Sequence, residues 1–211
     1  MRTNNFILFF ALYVLTFSTS IFSRELMGVD QLIYNSLAER LTGDQIKSVL
    51  QQSQRWQWVG YVAMPLLLYI KVLLISTALF MGIFLSERKL QFKYVLNIVL
   101  KAEFVFLLAL CFKTIKFYFF DKGYSLTDLG NYMPLSLESL FGYKNFEAWY
   151  IYPMQIVNLF EVAYWFVLVV LLSKALRLSK SKALSIVAGS YGAGLLIWVV
   201  GIVFITLSLS K

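Results

Sequence analysis

The chain has 211 residues, of which 60% are hydrophobic and only 14% are charged, and its formal net charge is +8. Soluble domains are nearer about 45–50% apolar and about 25% charged. One small soluble core cannot bury this much apolar surface, so the composition predicts an integral membrane protein. The chain contains one cysteine and no histidine. This excludes a zinc site of the usual His/Cys type and a catalytic triad that needs an imidazole. We therefore expect no metal, no cofactor and no enzymatic activity.

Five apolar stretches are long enough to cross a bilayer as helices, because about 20 residues span roughly 30 Å of hydrocarbon. The sequence therefore predicts an all-α, polytopic transmembrane helix bundle. We expect a single membrane domain over residues 1–211, with no internal repeat. The expected spans are residues 6–22, 58–85, 95–117, 153–172 and 184–207.

The first stretch has two interpretations. Arg2 precedes an apolar run that ends in small residues between Ser18 and Ser23, as in a secretory signal peptide. The run is longer than a typical signal-peptide core, and no small-x-small cleavage site stands before Arg24. We favour a retained helix and keep cleavage as the alternative.

Two short connections between the expected spans, residues 86–94 and 173–183, are rich in lysine and arginine. Because basic residues in short loops favour the cytoplasmic side, we expect these connections and the N-terminus in the cytoplasm. The longer segments 24–57 and 118–152, together with the C-terminus, are then outside. Loop charges of this kind meet anionic lipid, so the positive net charge does not require a nucleic-acid partner. Richness in Phe, Tyr, Lys and Ile is typical of an AT-rich bacterial genome. We therefore expect a protein of the bacterial inner (cytoplasmic) membrane.

The outer loops are predicted to contain short amphipathic helices. Met27, Ile33, Leu37 and Leu41 fall near helical spacing. A second helix is expected to begin after Thr42, because Thr-Gly-Asp-Gln matches a capping box, and it could continue into the second span. The other outer loop is rich in tyrosine, tryptophan and phenylalanine. In that loop Pro134, followed by LSLESLF, indicates one short helix.

Three ionisable residues inside the expected spans are the strongest candidates for a functional role, since charges inside a bilayer are costly. They are Lys71, Glu103 and Glu161. Lys71 falls at a depth between the two glutamates, so we expect it to pair with one of them inside the bundle. A structural ion pair and a proton or substrate pathway remain open as interpretations.

Two further patterns concern helix packing. Gln155, Asn158 and Trp165 form, with Glu161, a polar stripe along the expected fourth span. Such stripes face other helices or line a small cavity. The expected fifth span has small residues at four-residue spacing, which allow close helix packing. These are Ser185, Gly189 and Ala193.

The layout of the chain, with five spans and short basic inner loops, resembles that of the Yip1-type small membrane proteins. The block WYIYPMQIVNLFEVAYW, from Trp149 to Trp165, is similar to uncharacterised bacterial five-span proteins. The resemblance implies a trafficking or membrane-organising helper. The partners expected are the lipid bilayer and another membrane protein, which would bind at the outer loops. A transporter or permease subunit that uses the three buried charges is the alternative. An intramembrane enzyme is disfavoured by the lack of histidine.

Overall fold

A computed structural model describes residues 4–38, 41–121, 123–142 and 146–209 of the chain. Within these ranges the chain is helical and forms no strand apart from one isolated bridge. Five helical segments are long and apolar enough to cross a membrane. The predicted fold class, an all-α polytopic bundle, is therefore confirmed. The five segments are residues 5–26, 58–85, 92–120, 159–176 and 180–209.

Helix α1 (Asn5–Leu26) begins at Asn4, whose side chain accepts a hydrogen bond from the backbone of Phe6. It packs along α4 (Phe92–Ile115), and the two helices run in the same direction. Near the start of both helices the Asn5 amide donates to the carbonyl of Lys93 at 2.8 Å. Near their other ends the hydroxyls of Ser23 and Thr114 share a hydrogen bond of 2.6 Å.

The two amphipathic helices predicted in the first long outer segment are both present. Helix α2 (Val29–Ala38) follows α1 after a turn at Gly28, whose φ of 58° suits a residue without a Cβ. Helix α3 (Gly43–Leu85) runs without interruption for 43 residues, about 64 Å. The expectation that the second amphipathic helix continues into the second span is confirmed. Pro65 lies within α3 and does not break it.

Helix α4 is the central helix of the bundle, because it packs against α1, α3 and α8 (Leu159–Leu176). Its buried residues include Val95, Val99 and Ala102. This explains how the third predicted span can hold charged residues, since neighbouring helices shield it from lipid. A π-helical turn, Lys116–Phe120, continues α4 at its end.

The predicted fourth span, 153–172, was wrong in its boundary, because the chain breaks at residues 157 and 158. Helix α7 (Ala148–Ile156) ends before the break, and α8 begins after it. The backbone at the break pairs with residues 135–137 instead of continuing the helix. The Leu137 N–H donates to Val157 O at 3.0 Å, and the Leu159 N–H donates to Leu135 O at 3.1 Å.

The fifth span consists of α9 (Lys180–Val187), a π-helical segment Ala188–Gly192 and α10 (Ala193–Leu209). It lies at the edge of the bundle, and no residue of its most apolar window is buried. In the described part of the second long connection, two short helices, α5 (Leu126–Asn131) and α6 (Leu137–Phe141), precede α7.

The crossing helices alternate in direction, so both basic connections lie at the same end of the bundle. Helices α1 and α3 are antiparallel, because Phe9 contacts the ring of Tyr69 whereas Phe17, further along α1, contacts the ring of the earlier Tyr61. The contact between Phe112 and Phe160 near the start of α8 makes α4 and α8 antiparallel. We name the end with residues 86–91 and 177–179 the basic end. The opposite end, with α2, the start of α3 and α5–α7, is named the loop-rich end.

Candidate functional site

Lys71 and Glu103 form an ion pair between α3 and α4, with 2.7 Å between Lys71 Nζ and Glu103 Oε2. The ammonium group also lies 4.1 Å from the centre of the Phe106 ring, within range of a cation–π interaction. Glu103 is buried, whereas the Lys71 side chain is 45% exposed on the bundle surface. Of the two partners predicted for Lys71, the structure shows a direct pair with Glu103.

Glu161 lies in the first turn of α8 and bonds to aromatic donors. Its Oε1 accepts hydrogen bonds from the Tyr191 hydroxyl at 2.6 Å and from Trp165 Nε1 at 3.0 Å. Its backbone N–H donates to Asn158 Oδ1 at 2.7 Å, so Asn158 is the N-cap of α8. Lys71 acts on Glu161 only as a nearby positive charge.

Tyr164 completes this group, and its importance is not apparent from the sequence. Its side chain is fully buried, and its ring packs against Phe106 and Tyr191 at centroid distances of 5.0 and 5.3 Å. Within the described ranges, the Tyr164 hydroxyl and Glu103 Oε1 are buried without a hydrogen-bond partner. These two groups are close enough to interact electrostatically.

These residues form what we name the intramembrane cluster: Lys71, Glu103, Phe106, Glu161, Tyr164, Trp165 and Tyr191. Counted from the basic end, Lys71 lies about 21 Å and Glu103 about 16 Å along its helix, at about 1.5 Å per residue. By the same count Glu161 lies about 22 Å and Tyr191 about 16 Å from that end. The cluster therefore lies inside an about 30 Å hydrocarbon layer, and Glu161 is its member nearest the loop-rich end.

The remaining members of the predicted polar stripe do not share one helix face, because the chain breaks at Asn158. Gln155 belongs to α7, and its amide donates to the carbonyl of Asn131 in α5. Trp165 faces the cluster through its bond to Glu161. The stripe thus joins the loop-rich end to the intramembrane cluster.

The small residues predicted to pack, Ser185, Gly189 and Ala193, lie on the exposed side of the fifth span. Close packing occurs at other positions. A Cβ added to Gly82 would lie 2.5 Å from Ser190 Cβ, and one added to Gly192 would lie 2.6 Å from Trp165 Cη2.

The loop-rich end contains a cavity of about 320 Å³, which we name the outer cavity. Lys116 pairs there with Asp121 at 3.1 Å, and its Nζ lies 3.9 Å from the centre of the Tyr132 ring. The Tyr124 hydroxyl donates to the carbonyl of Met27, which ties this layer to the end of α1. The lining residues are Lys116, Phe117, Asp121, Gly123, Tyr124, Asp128, Tyr132, Glu138, Ser139 and Gly142.

Glu138 is the most deeply buried carboxylate in the outer cavity, with 2% of its surface exposed. Burial raises the pKa of this carboxyl, and the Met133 N–H and the charges of Lys116 and Lys113 oppose that rise. Burial also raises the pKa of the Tyr124 hydroxyl. Glu138 was not among the predicted site residues, although its position in the helix predicted beside Pro134 was a usable signal.

Comparison with family models, with curated proteins and with solved structures finds no match for this chain. In the described part of the chain, no three His, Cys, Asp or Glu side chains are grouped so that they could hold a metal ion. The fold and the two sites therefore define only the class of protein: a bundle of five apolar helices with a cluster of ionisable residues around the buried Glu103 and a structured layer at one end.

Proposed function

We propose that this chain is a non-enzymatic component of a membrane complex that binds a partner protein at its loop-rich end. The observation that carries the proposal is the outer cavity, which is set in a layer held by defined hydrogen bonds rather than in a loose loop. Tyr124 ties this layer to α1, Gln155 ties α7 to α5, and the paired backbone at Leu137 ties α6 to the break before α8.

The charge of the outer cavity suggests the chemistry of the partner. Three of its lining residues are acidic, and one is basic. Complementary charges steer association and fix the register of an interface. We therefore propose that the partner places a basic segment, rich in lysine or arginine, against this cavity.

The basic connections support the proposed orientation, in which the basic end is cytoplasmic and the loop-rich end is outside. The chain would then be a protein of the bacterial inner membrane whose partner binds on the outer face. The resemblance in layout to Yip1-type proteins agrees with a helper of this kind.

Site-specific photo-crosslinking in native membranes tests the proposal. A photoreactive residue at Leu140, beside the outer cavity, should give a discrete adduct with one protein. The adduct should weaken when Asp121→Asn and Glu138→Gln are combined. The matched control is Val200 on the lipid-facing side of α10, which should give no protein adduct. Equal adducts from both positions would contradict the proposal.

The intramembrane cluster favours a second candidate function, that of an ion or proton permease subunit. It gathers two carboxylates and one ammonium group from three helices near one depth, and ionisable groups at this depth often mark ion pathways. In reconstituted vesicles, Lys71→Ala and Glu161→Gln should abolish ion flux if this function is correct. A partner-binding helper should keep its crosslink at Leu140 in both variants.

A further inference from the structure

We infer that the connection between α3 and α4 binds one anionic phospholipid. A cavity of about 430 Å³ opens here at the basic end, and we name it the inner pocket. Its lining residues are Phe80, Ile83, Phe84, Arg88, Lys89, Leu90 and Gln91. The inference does not depend on the proposed partner or on which side of the membrane the basic end faces.

One wall of the inner pocket is apolar and suits an acyl chain. Phe84 is 68% exposed at the end of α3, although neighbouring Ile83 is buried. Phe80 is held in place by an edge-on contact with Phe92, with 5.7 Å between the ring centres. The pocket therefore presents a fixed apolar surface at the membrane boundary, where lipid is the adjacent molecule.

The other wall carries positive charge that the described part of the chain does not neutralise. Arg88 and Lys89 are exposed and take part in none of the ion pairs formed by the described residues. A guanidinium group binds a phosphate through two parallel hydrogen bonds, and an ammonium group adds a second positive charge. Adjacent Glu87 offsets only part of this charge.

Hydrogen bonds to backbone carbonyls hold the connection between α3 and α4 in a defined shape. The apolar wall and the basic wall of the inner pocket therefore keep a fixed position relative to each other. The Arg88 N–H donates to Ile83 O at 3.2 Å, and the Ser86 hydroxyl donates to Gly82 O at 2.8 Å. Gln91 is the N-cap of α4 but makes no side-chain capping bond. The positive end of the α4 dipole therefore adds to the attraction for a headgroup phosphate.

A phospholipid with an anionic headgroup combines the two chemistries that the inner pocket presents. Its phosphate would lie between Arg88 and Lys89, and one acyl chain would lie along Phe80 and Phe84. Zwitterionic lipids carry a phosphate but also an ammonium group that the two basic side chains repel. A free phosphate ion would use only the charged wall.

Native mass spectrometry of the full chain, purified from vesicles of phosphatidylcholine and phosphatidylglycerol, tests this inference. The wild type should retain one phosphatidylglycerol per chain. Arg88→Gln combined with Lys89→Gln should lower that affinity by about thirtyfold, since each basic residue near a membrane surface contributes about 1 kcal/mol. The matched control, Lys180→Gln with Lys182→Gln, removes the same charge from the other basic connection and should bind like the wild type.

Two outcomes would overturn the inference. Equal loss of phosphatidylglycerol from both double variants would show general attraction to a basic surface instead of a site. Displacement of the lipid by inorganic phosphate would show that a soluble anion is the ligand. A further variant, Phe84→Ser, separates the two walls, because it should weaken lipid retention and leave binding of inorganic phosphate unchanged.

Discussion

At the scale of single residues, the intramembrane cluster shows how the bundle accommodates charge in an apolar layer. Glu103 is buried and bonded to Lys71, whereas Glu161 receives two hydrogen bonds from aromatic side chains. The sequence predicted that Lys71 would pair with Glu103 or Glu161, because Lys71 falls at a depth between them. It could not identify Tyr164 or Tyr191, since aromatic residues are common in membrane helices and only packing shows which of them meet a carboxylate.

The ion pair leads to a prediction about stability. Lys71→Ala leaves the buried Glu103 carboxylate without its partner and should lower the free energy of unfolding by about 3 kcal/mol. Replacing both groups, as in Lys71→Met with Glu103→Gln, should recover most of that loss, because no uncompensated charge remains. Thermal unfolding in detergent measures both variants. A double variant less stable than Lys71→Ala would contradict this account of the pair.

Glu138 leads to a prediction about pH. Because burial raises the pKa of this carboxyl in the folded state, the folded chain binds its proton more tightly than the unfolded chain does. The stabilisation that Glu138 provides should therefore decrease as the pH rises from 4.5, the ordinary pKa of a glutamate, to the raised pKa of the folded chain. In detergent, the melting temperature of Glu138→Gln should depend less on pH in this window than that of the wild type. A control at exposed Glu25, Glu25→Gln, should keep the wild-type dependence.

At the scale of the elements, the amphipathic pattern predicted α2 and the long α3, because spacing of apolar residues determines which helix face packs. The break between α7 and α8 was not predictable in this way. Residues 153–172 are apolar enough for one continuous helix, but the backbone at Val157 pairs with Leu137 from a distant segment. Contacts between segments far apart in the chain leave no local pattern in the sequence.

The contact between α3 and the fifth span gives a prediction for these two elements. Gly82→Ala would place a methyl group against Ser190 and should destabilise the bundle by about 1–3 kcal/mol, because the neighbouring backbone must move. Adding Ser190→Gly should restore stability. The control is Gly201→Ala in α10, where nothing lies within 4 Å, and it should be neutral or stabilising by up to about 1 kcal/mol. Thermal unfolding in detergent measures all three variants.

At the scale of the whole molecule, the number of crossing helices and the approximate positions of four of them were predictable, because length and hydropathy suffice to define a span. The fourth was placed too early, because its apolar run includes the break at residues 157 and 158. The packing of the other helices around α4 was not predictable, because hydropathy alone does not indicate which helix is central. The third predicted span contains charged residues, and the structure places it in the core. Composition describes each helix by itself, whereas the packing partners determine how a charge is shielded.

We propose that these helices cross a membrane with the basic end in the cytoplasm and the loop-rich end outside. Labelling of single cysteines in intact cells with a membrane-impermeant maleimide tests this orientation, with Cys111→Ala as the background. Ser53→Cys lies on the exposed start of α3, and Ser181→Cys lies on the exposed start of α9. We predict labelling of Ser53→Cys in intact cells and of Ser181→Cys only after permeabilisation. The reverse pattern, or labelling of both in intact cells, would contradict this claim.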